Sequence, residues 1–454
     1  MRIYEYHELS KGWTLNNSTQ SRLAYLLWFL ALSVIAGGRW ITQIWLGPIP
    51  IADLVFQLLI IIYLLKMLLQ PNRDTPLPTR SFLLHFICSV TLVWSLFRIL
   101  VSIQSHEYSI ESVFRDSMFF IALSSIPVCK AILHNFGSSG SSSKIVVRNL
   151  TLASCIALLT GIVSKLFTNS EGWNLSLPFV SLQSNIFSVR SDQLICAAGL
   201  LLINLFAKIA EARYKAFFIS LLLIIITLTL LLFSSRAVLL ASGLILAIGL
   251  SLILKLQQAQ MRNWPIVLLF ISPVFLISLQ QLPGVNRLLA GFGLVTAQVQ
   301  NEAINIGAMS TQNARQEAWR LIADYWKQNS FWFGFKPGEH VVQISGALRY
   351  LSGEIEVRWP HNVFLSIMVR NGLIIGLLFS VLLLYILFSG LKNISRPTSD
   401  VLDFQLFAYL IGSLAVSSVG VVLESPFGYI PFTIISGMVL ARGEMHETYR
   451  KDLG

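Results

Sequence analysis

The chain has 454 residues, of which 55% are hydrophobic and only 12% charged, and its mean hydropathy is +0.69. A soluble chain of this length would form about three domains, but none could hide so much apolar surface from water. Disorder, a collagen-like repeat and a small disulfide scaffold are excluded by the same figures, which leaves an all-α integral membrane protein.

A helix crosses the hydrocarbon core with about 20 apolar residues. Runs of that kind, separated by polar or turn-forming breaks, predict about twelve transmembrane helices: 22–45, 49–69, 81–103, 113–133, 146–167, 190–208, 215–233, 236–255, 263–281, 361–390, 403–423 and 427–442. The first follows a polar stretch with Arg2 and Lys11 and is too long for a cleaved signal peptide, so it reads as an uncleaved anchor. Residues 1–281 thus carry helices one to nine, 282–360 form an extramembrane subdomain, and 361–454 hold helices ten to twelve with a cytoplasmic tail. The Gly/Ser run at 137–144 reads as a flexible linker. Cys88, Cys129, Cys155 and Cys196 lie far apart within or at the ends of apolar runs, without metal or redox spacing, and read as core residues.

The formal net charge is +11. In a membrane protein that excess points to orientation rather than to nucleic acid. With the N-terminus in the cytoplasm, Arg2/Lys11/Arg22, Lys66/Arg73/Arg80, Lys130/Lys144/Arg148, Lys208/Arg213/Lys215, Lys255/Arg262, Lys392/Arg396 and Arg442/Arg450/Lys451 all fall inside, more than half of the 33 basic residues. Glu107, Glu111 and Glu171 fall in outer loops. Both termini are therefore expected in the cytoplasm.

The segment 282–360 is too polar to cross and too long for a simple connection, so it is expected to carry function. Within it, 312–329 has helical periodicity, with Ala314, Ala318, Leu321, Ile322 and Tyr325 on one side and Asn313 with Gln316 as a start signal. Trp319, Trp332 and Trp359 are candidates for stacking on carbohydrate, with interface anchoring as the plainer reading.

Arginine recurs at the outer helix ends: Arg98, Arg115, Arg190 and Arg236, joined by Arg287, Arg315, Arg320 and Arg358 in the external segment. Each alone can snorkel or pair with Asp116 or Asp192, but the set runs against the positive-inside tendency. Guanidinium groups match phosphate oxygens and stabilise a phosphate leaving group, so an anionic lipid headgroup is one reading and an anion-conducting pore another. His361 stands at the start of the tenth predicted helix, after Pro360. It can act as a general base or simply hydrogen-bond at a helix end. At 100° per residue, Gly372 and Gly376 lie below it on one stripe, where small residues permit close approach, while Arg370 points away. The outer side shows no metal-ligand spacing, and no cofactor is implied.

These elements together resemble the O-antigen ligase and polymerase superfamily, membrane glycosyltransferases of the WaaL and Wzy type. SSRAVLL at 234–240 is similar to the family's Arg-x-x-x-Leu element through Arg236 and Leu240. NARQEAW at 313–319 followed by FWFGFKPG at 331–338 is similar to its Arg-and-Trp helix and glycine turn. PHNVFLSIMVRNGLIIG at 360–376 is similar to its His-Asn, nine residues, Gly, three residues, Gly element. The resemblance implies a large periplasmic loop before helix ten in the bacterial inner membrane. It also implies metal-independent, inverting transfer from an undecaprenyl-pyrophosphate-linked glycan. By the same resemblance His361 is the general base and Arg236 and Arg315 hold the pyrophosphate; depth adds Arg190 and Arg98.

The acceptor is either a growing polysaccharide, for a polymerase, or lipid A-core, for a ligase. In 282–360, Arg287, Arg315, Arg320, Lys327, Lys336, Arg349 and Arg358 are nearly balanced by Glu302, Glu317, Asp324, Glu339, Glu354 and Glu356. A phosphate-rich core would favour a more basic face, so the balance leans toward polymerase. A lipid-linked sugar flippase is the reading from another class, but it would want charge deep in both halves.

Overall fold

The computed structural model describes residues 19–42, 44–46, 49–69, 82–134, 136, 140–166, 175–177, 180–182, 191–211, 219, 236–256, 302–351, 358–418, 420 and 422–452. The predicted spans 215–233, Ile219 apart, and 263–281 lie outside them.

The body is helical. In chain order come α1 (Thr19–Gly37), α2 (Arg39–Thr42), α3 (Ile51–Leu69), α4 (Phe82–Ser105), α5 (Ile110–Ser124), α6 (Ile126–Leu133), α7 (Gly140–Leu166), α8 (Ser191–Glu211) and α9 (Arg236–Leu256). They are followed by α10 (Glu302–Asn329), α11 (Val341–Ile344), α12 (Leu348–Leu351), α13 (Val363–Ser395), α14 (Val401–Ser417) and α15 (Pro426–Asp452). Among the described residues six helices are long and apolar enough to cross a membrane: those covering α1, α3, α4, α7, α8 and α13. A seventh is counted if α5 and α6, bent by 48° at Ser125, form one broken span. The bend falls where Pro127 enters the first turn of α6 and cannot donate a backbone hydrogen bond.

A broad apolar surface confirms the multi-pass reading. Phe29, Leu68, Leu69, Phe82 and Phe388 are each at least two-thirds exposed, an arrangement that suits lipid and not water. Residues Gln193–Ala210 of α8 are 83% buried, against 44% or less for the other five candidate spans, so α8 is a central helix, as is the shorter α14, nearly all of whose residues are buried. It packs on α7, α9 and α14. Cys88, Cys129 and Cys196 are buried free thiols and Cys155 is half-buried, as expected for core residues.

Three details differ from the sequence reading. The linker expected at 137–144 gives its second half to α7, which begins at Gly140. The amphipathic helix expected from 312 begins at Glu302, so Asn313 lies inside α10. Four short strands, β1 (Ile44–Leu46), β2 (Ile49–Pro50), β3 (Leu175–Leu177) and β4 (Val180–Leu182), form a small antiparallel sheet in the order β2-β1-β4-β3. Strands of two or three residues are too short for alternation to reveal them.

Candidate functional site

The site is built where α10 and the turn after it meet the start of α13. Ala318, Ile322 and Trp326 of α10 are buried with Phe335, Val341, Val342, Ala347 and Val369, so the inner face of α10 packs on the segment that follows it and on α13.

The turn 330–335 enters α13 through a break in that helix. Gly372 has φ 76° and ψ 175°, a conformation accessible essentially only to glycine. The break separates the amide of Leu373 from the carbonyl of Val369, which an intact helix would pair. Instead Leu373 N–H donates to Phe331 O at 2.9 Å, and Phe335 N–H donates to Val369 O at 2.9 Å. The inserted turn thus satisfies both freed groups, which matters because unpaired backbone is costly at membrane depth. Gly334, with φ 70°, lies so close that a Cβ there would meet the backbone of Arg370 and Gly372. From the other side, buried Arg98 of α4 donates to the carbonyls of Phe333 and Gly334.

Behind the turn, Asp116 of α5 is fully buried between two guanidinium groups. Arg358 reaches it at 2.9 and 3.2 Å, and Arg370 lies 3.0 Å away. The amide of Gly338 donates to the same carboxylate at 3.0 Å, while Arg358 also donates to Gly338 O at 2.7 Å. Arg370 donates to Lys336 O at 3.0 Å and lies over the ring of Trp359, 5.4 Å from its centroid. These bonds fasten the 336–338 segment, α13 and α5 to one carboxylate.

Arg358 Nη1 is 2.6 Å from His340 Nε2. Because guanidinium can only donate, this nitrogen must carry a lone pair and His340 is neutral with its proton on Nδ1. Burial, reinforced by the charge of Arg358, holds its pKa below the usual histidine value. Beside it, burial pushes the Glu339 carboxyl up, opposed chiefly by Arg370.

His361 sits at the junction between this cluster and α13. It is half-buried and has φ 59°, a left-handed conformation uncommon for a residue with a side chain. Both neighbours are fixed. Trp319 Nε1 donates to Pro360 O at 2.7 Å, and the Asn362 side chain caps α13 by accepting from Leu365 N–H at 3.1 Å. One turn further on, Ser366 donates to Glu424 in the approach to α15.

The structure brings some of the sequence candidates together. His361, Trp319 and Trp359 converge at the start of α13. Arg98 approaches the same region through the inserted turn, where it binds backbone carbonyls. Trp359 is buried under Arg370, whereas Trp332 is 56% exposed at the tip of the turn. Arg315 lies half-buried on α10. Arg236 begins α9, but its side chain, like all of Arg190, lies outside the described residues. The expected glycine stripe takes another form: Gly372 breaks the helix, so 100° spacing cannot be carried across it to Gly376.

Asp116 and the paired role of Arg370 were missed as organisers of the site. The sequence offers Asp116 as a partner for nearby arginines, but Arg358 and Arg370 are more than two hundred residues away in sequence. Arg370, expected to belong to a different contact, pairs with Asp116 and lies over Trp359.

No curated protein matches the chain. The family model described as Wzy_C, O-Antigen ligase, matches residues 220–381. That range contains α9, α10, the inserted turn, the Arg358–Arg370 cluster and the first half of α13. Across that range, about a third of its length, the chain is similar to the O-antigen ligase family.

Proposed function

We propose that the protein transfers a glycan from an undecaprenyl-pyrophosphate carrier to a sugar hydroxyl at the periplasmic face of the bacterial inner membrane. The reaction is metal-independent and inverts the anomeric carbon. His361 takes the proton of the attacking hydroxyl as the new oxygen–carbon bond forms, and the pyrophosphate leaves as the old bond breaks. Arg236 and Arg315 stabilise the charge that develops on the leaving group. Of the other arginine candidates, Arg190 also binds the donor, whereas Arg98 serves it indirectly by holding the 333–334 turn.

The observation that carries this reading is the posture of His361. It occupies a left-handed position between a carbonyl held by Trp319 and a helix cap made by Asn362, at the head of a family-matched helix. A histidine serving only to start the helix would not need that posture, since Asn362 already supplies the cap. Purified His361→Ala protein, given a lipid-linked donor and an acceptor, should lose transfer by about a hundredfold or more, the usual scale of one acid–base group. Undiminished transfer would remove the base.

The near balance of charge in 282–360 supports polymerase, extending an O-antigen or other surface polysaccharide. The ligase description of the matched family supports transfer to lipid A-core instead. Deletion of the gene distinguishes them: single repeats on the acceptor indicate a polymerase, and bare core with polymer still lipid-linked indicates a ligase.

A further inference from the structure

Beside Arg358 and Trp359, the approach to His361 borders a cavity of about 220 Å³. Its other walls come from α2, the start of α3, the first turns of α5 and the entry to α15. We propose that this cavity is the subsite for one sugar ring of the acceptor, a proposal that rests on the glycan-transfer reading above.

Size gives the first constraint. Pockets for drug-sized ligands are on the order of 300–1,000 Å³, so this smaller space suits a single ring rather than an oligosaccharide or a lipid chain.

The lining gives the second. Asp53 and Glu424 contribute carboxylates, Arg39 and Arg115 guanidinium groups, and Thr42 and Tyr429 hydroxyls. Acceptors and donors therefore face the same small volume, as the vicinal hydroxyls of a sugar require. Tyr429 donates to Asp53, and Ser366 donates to Glu424, so both carboxylates are held in place. A carboxylate has about four lone-pair sites, and one hydroxyl occupies one of those on Asp53. A bare anion is a poor occupant, because two carboxylates offset Arg39 and Arg115 in the walls and Arg358 is already committed to Asp116 and Gly338. An acyl chain is also disfavoured, since it would strand these polar groups.

Aromatic surface gives the third. Phe114, Trp359 and Phe427 line the same space, and Arg39 lies over Phe427, 5.8 Å from its centroid. Such planes suit the apolar face of a sugar ring, while the polar walls read its hydroxyls.

Position connects the cavity to chemistry. Trp359 is two residues before His361, and Ser366 ties the cavity wall at Glu424 to the first turn of α13. A ring held here lies beside the helix start that carries the proposed base.

Ligand-observed NMR on the purified full chain tests the assignment without any donor. The probes are methyl α-glucoside, methyl α-galactoside and methyl N-acetyl-β-glucosaminide, with glucuronate and inorganic phosphate as anionic comparisons. At least one methyl glycoside should bind, and both Asp53→Asn and Phe427→Ala should reduce its affinity about tenfold. Asp53→Asn retains an oxygen that accepts from Tyr429, so it tests ligand contact with the local bond preserved, even if Phe427→Ala does not fold. The proposal is overturned if no glycoside binds, if binding survives Asp53→Asn, or if phosphate binds in its place. Because no transfer is measured, failure here is separate from failure of His361→Ala to abolish catalysis.

Discussion

The amide of Leu373 donates to Phe331 O at 2.9 Å, replacing the bond that an unbroken α13 would have given it from Val369. That exchange lets the 330–335 turn dock inside a long apolar helix, and it depends on Gly372. A side chain there would meet the backbone of Trp332 and Phe333 while occupying a conformation reserved for glycine. Gly372→Ala should therefore cost at least about 1–3 kcal/mol, the usual scale for such strain, and should lower glycan transfer as the turn is displaced. Gly376→Ala is the comparison: its Cβ would crowd the Met368 sulfur and, less closely, the Met368 Cα, but without a left-handed φ, so its thermal midpoint should fall less. Equal losses for the two variants would contradict the role of the break.

Asp116 lies beneath two guanidinium groups, and it also accepts from Gly338 N–H. Asp116→Asn keeps the shape but leaves Arg358 and Arg370 without their shared countercharge. Removing one partner from a buried ionic cluster typically costs about 3–5 kcal/mol. Thermal unfolding in detergent should show a destabilisation of that order. Replacing Lys336, whose amine pairs with Glu107 at 3.2 Å on the surface, should cost no more than about 1 kcal/mol.

Much of the fold was legible because apolar runs long enough to cross a bilayer leave a strong signal. The boundaries were less so: α5 and α6 read as one span, since a 48° bend at Ser125 does not interrupt hydropathy. At the site, His361 and Trp319 were visible through local motif and helix position. The Asp116 cluster was not, because its arginines come from residues 358 and 370 and only folding brings them to α5. Gly372 was singled out for the right smallness but the wrong geometry. A period of 3.6 assumes a continuous helix, and the positive φ that breaks α13 becomes evident only once the 331–335 turn is seen entering it.

The His340–Arg358 contact predicts an acid-sensitive stability. His340 must be neutral to accept from Arg358, and its pKa is held below the usual 6.5 by burial and then by Arg358. A depressed histidine contributes stability above its unfolded pKa and loses it as pH falls through the lower folded value. The thermal midpoint of the wild type should thus begin to fall below about pH 6.5. Glu339, raised by burial, acts in the opposite direction: its contribution is present below its ordinary carboxyl pKa and lost as pH rises through the higher folded value. His340→Gln supplies an oxygen acceptor that does not titrate. Its midpoint should decline less over the histidine window; parallel curves would show that another group governs the acid limb.

Trp319 distinguishes a positioning contact from carbohydrate stacking. Its indole donates to Pro360 O at 2.7 Å, immediately before His361. Trp319→Phe keeps an aromatic face but removes this donor. If the indole serves to set the left-handed posture of His361, the variant should lower kcat several-fold, leave acceptor KM within about twofold and shift the pH profile of transfer as the imidazole moves. If Trp319 instead stacks on glycan, Phe should largely substitute for it, whereas Trp319→Leu should raise acceptor KM with less effect on kcat. A neutral contact of this kind is worth about 0.5–1.5 kcal/mol, so a loss of roughly two- to tenfold in kcat is the scale expected from Trp319→Phe. Complete inactivation at unchanged thermal stability would require the indole to touch the reacting groups directly.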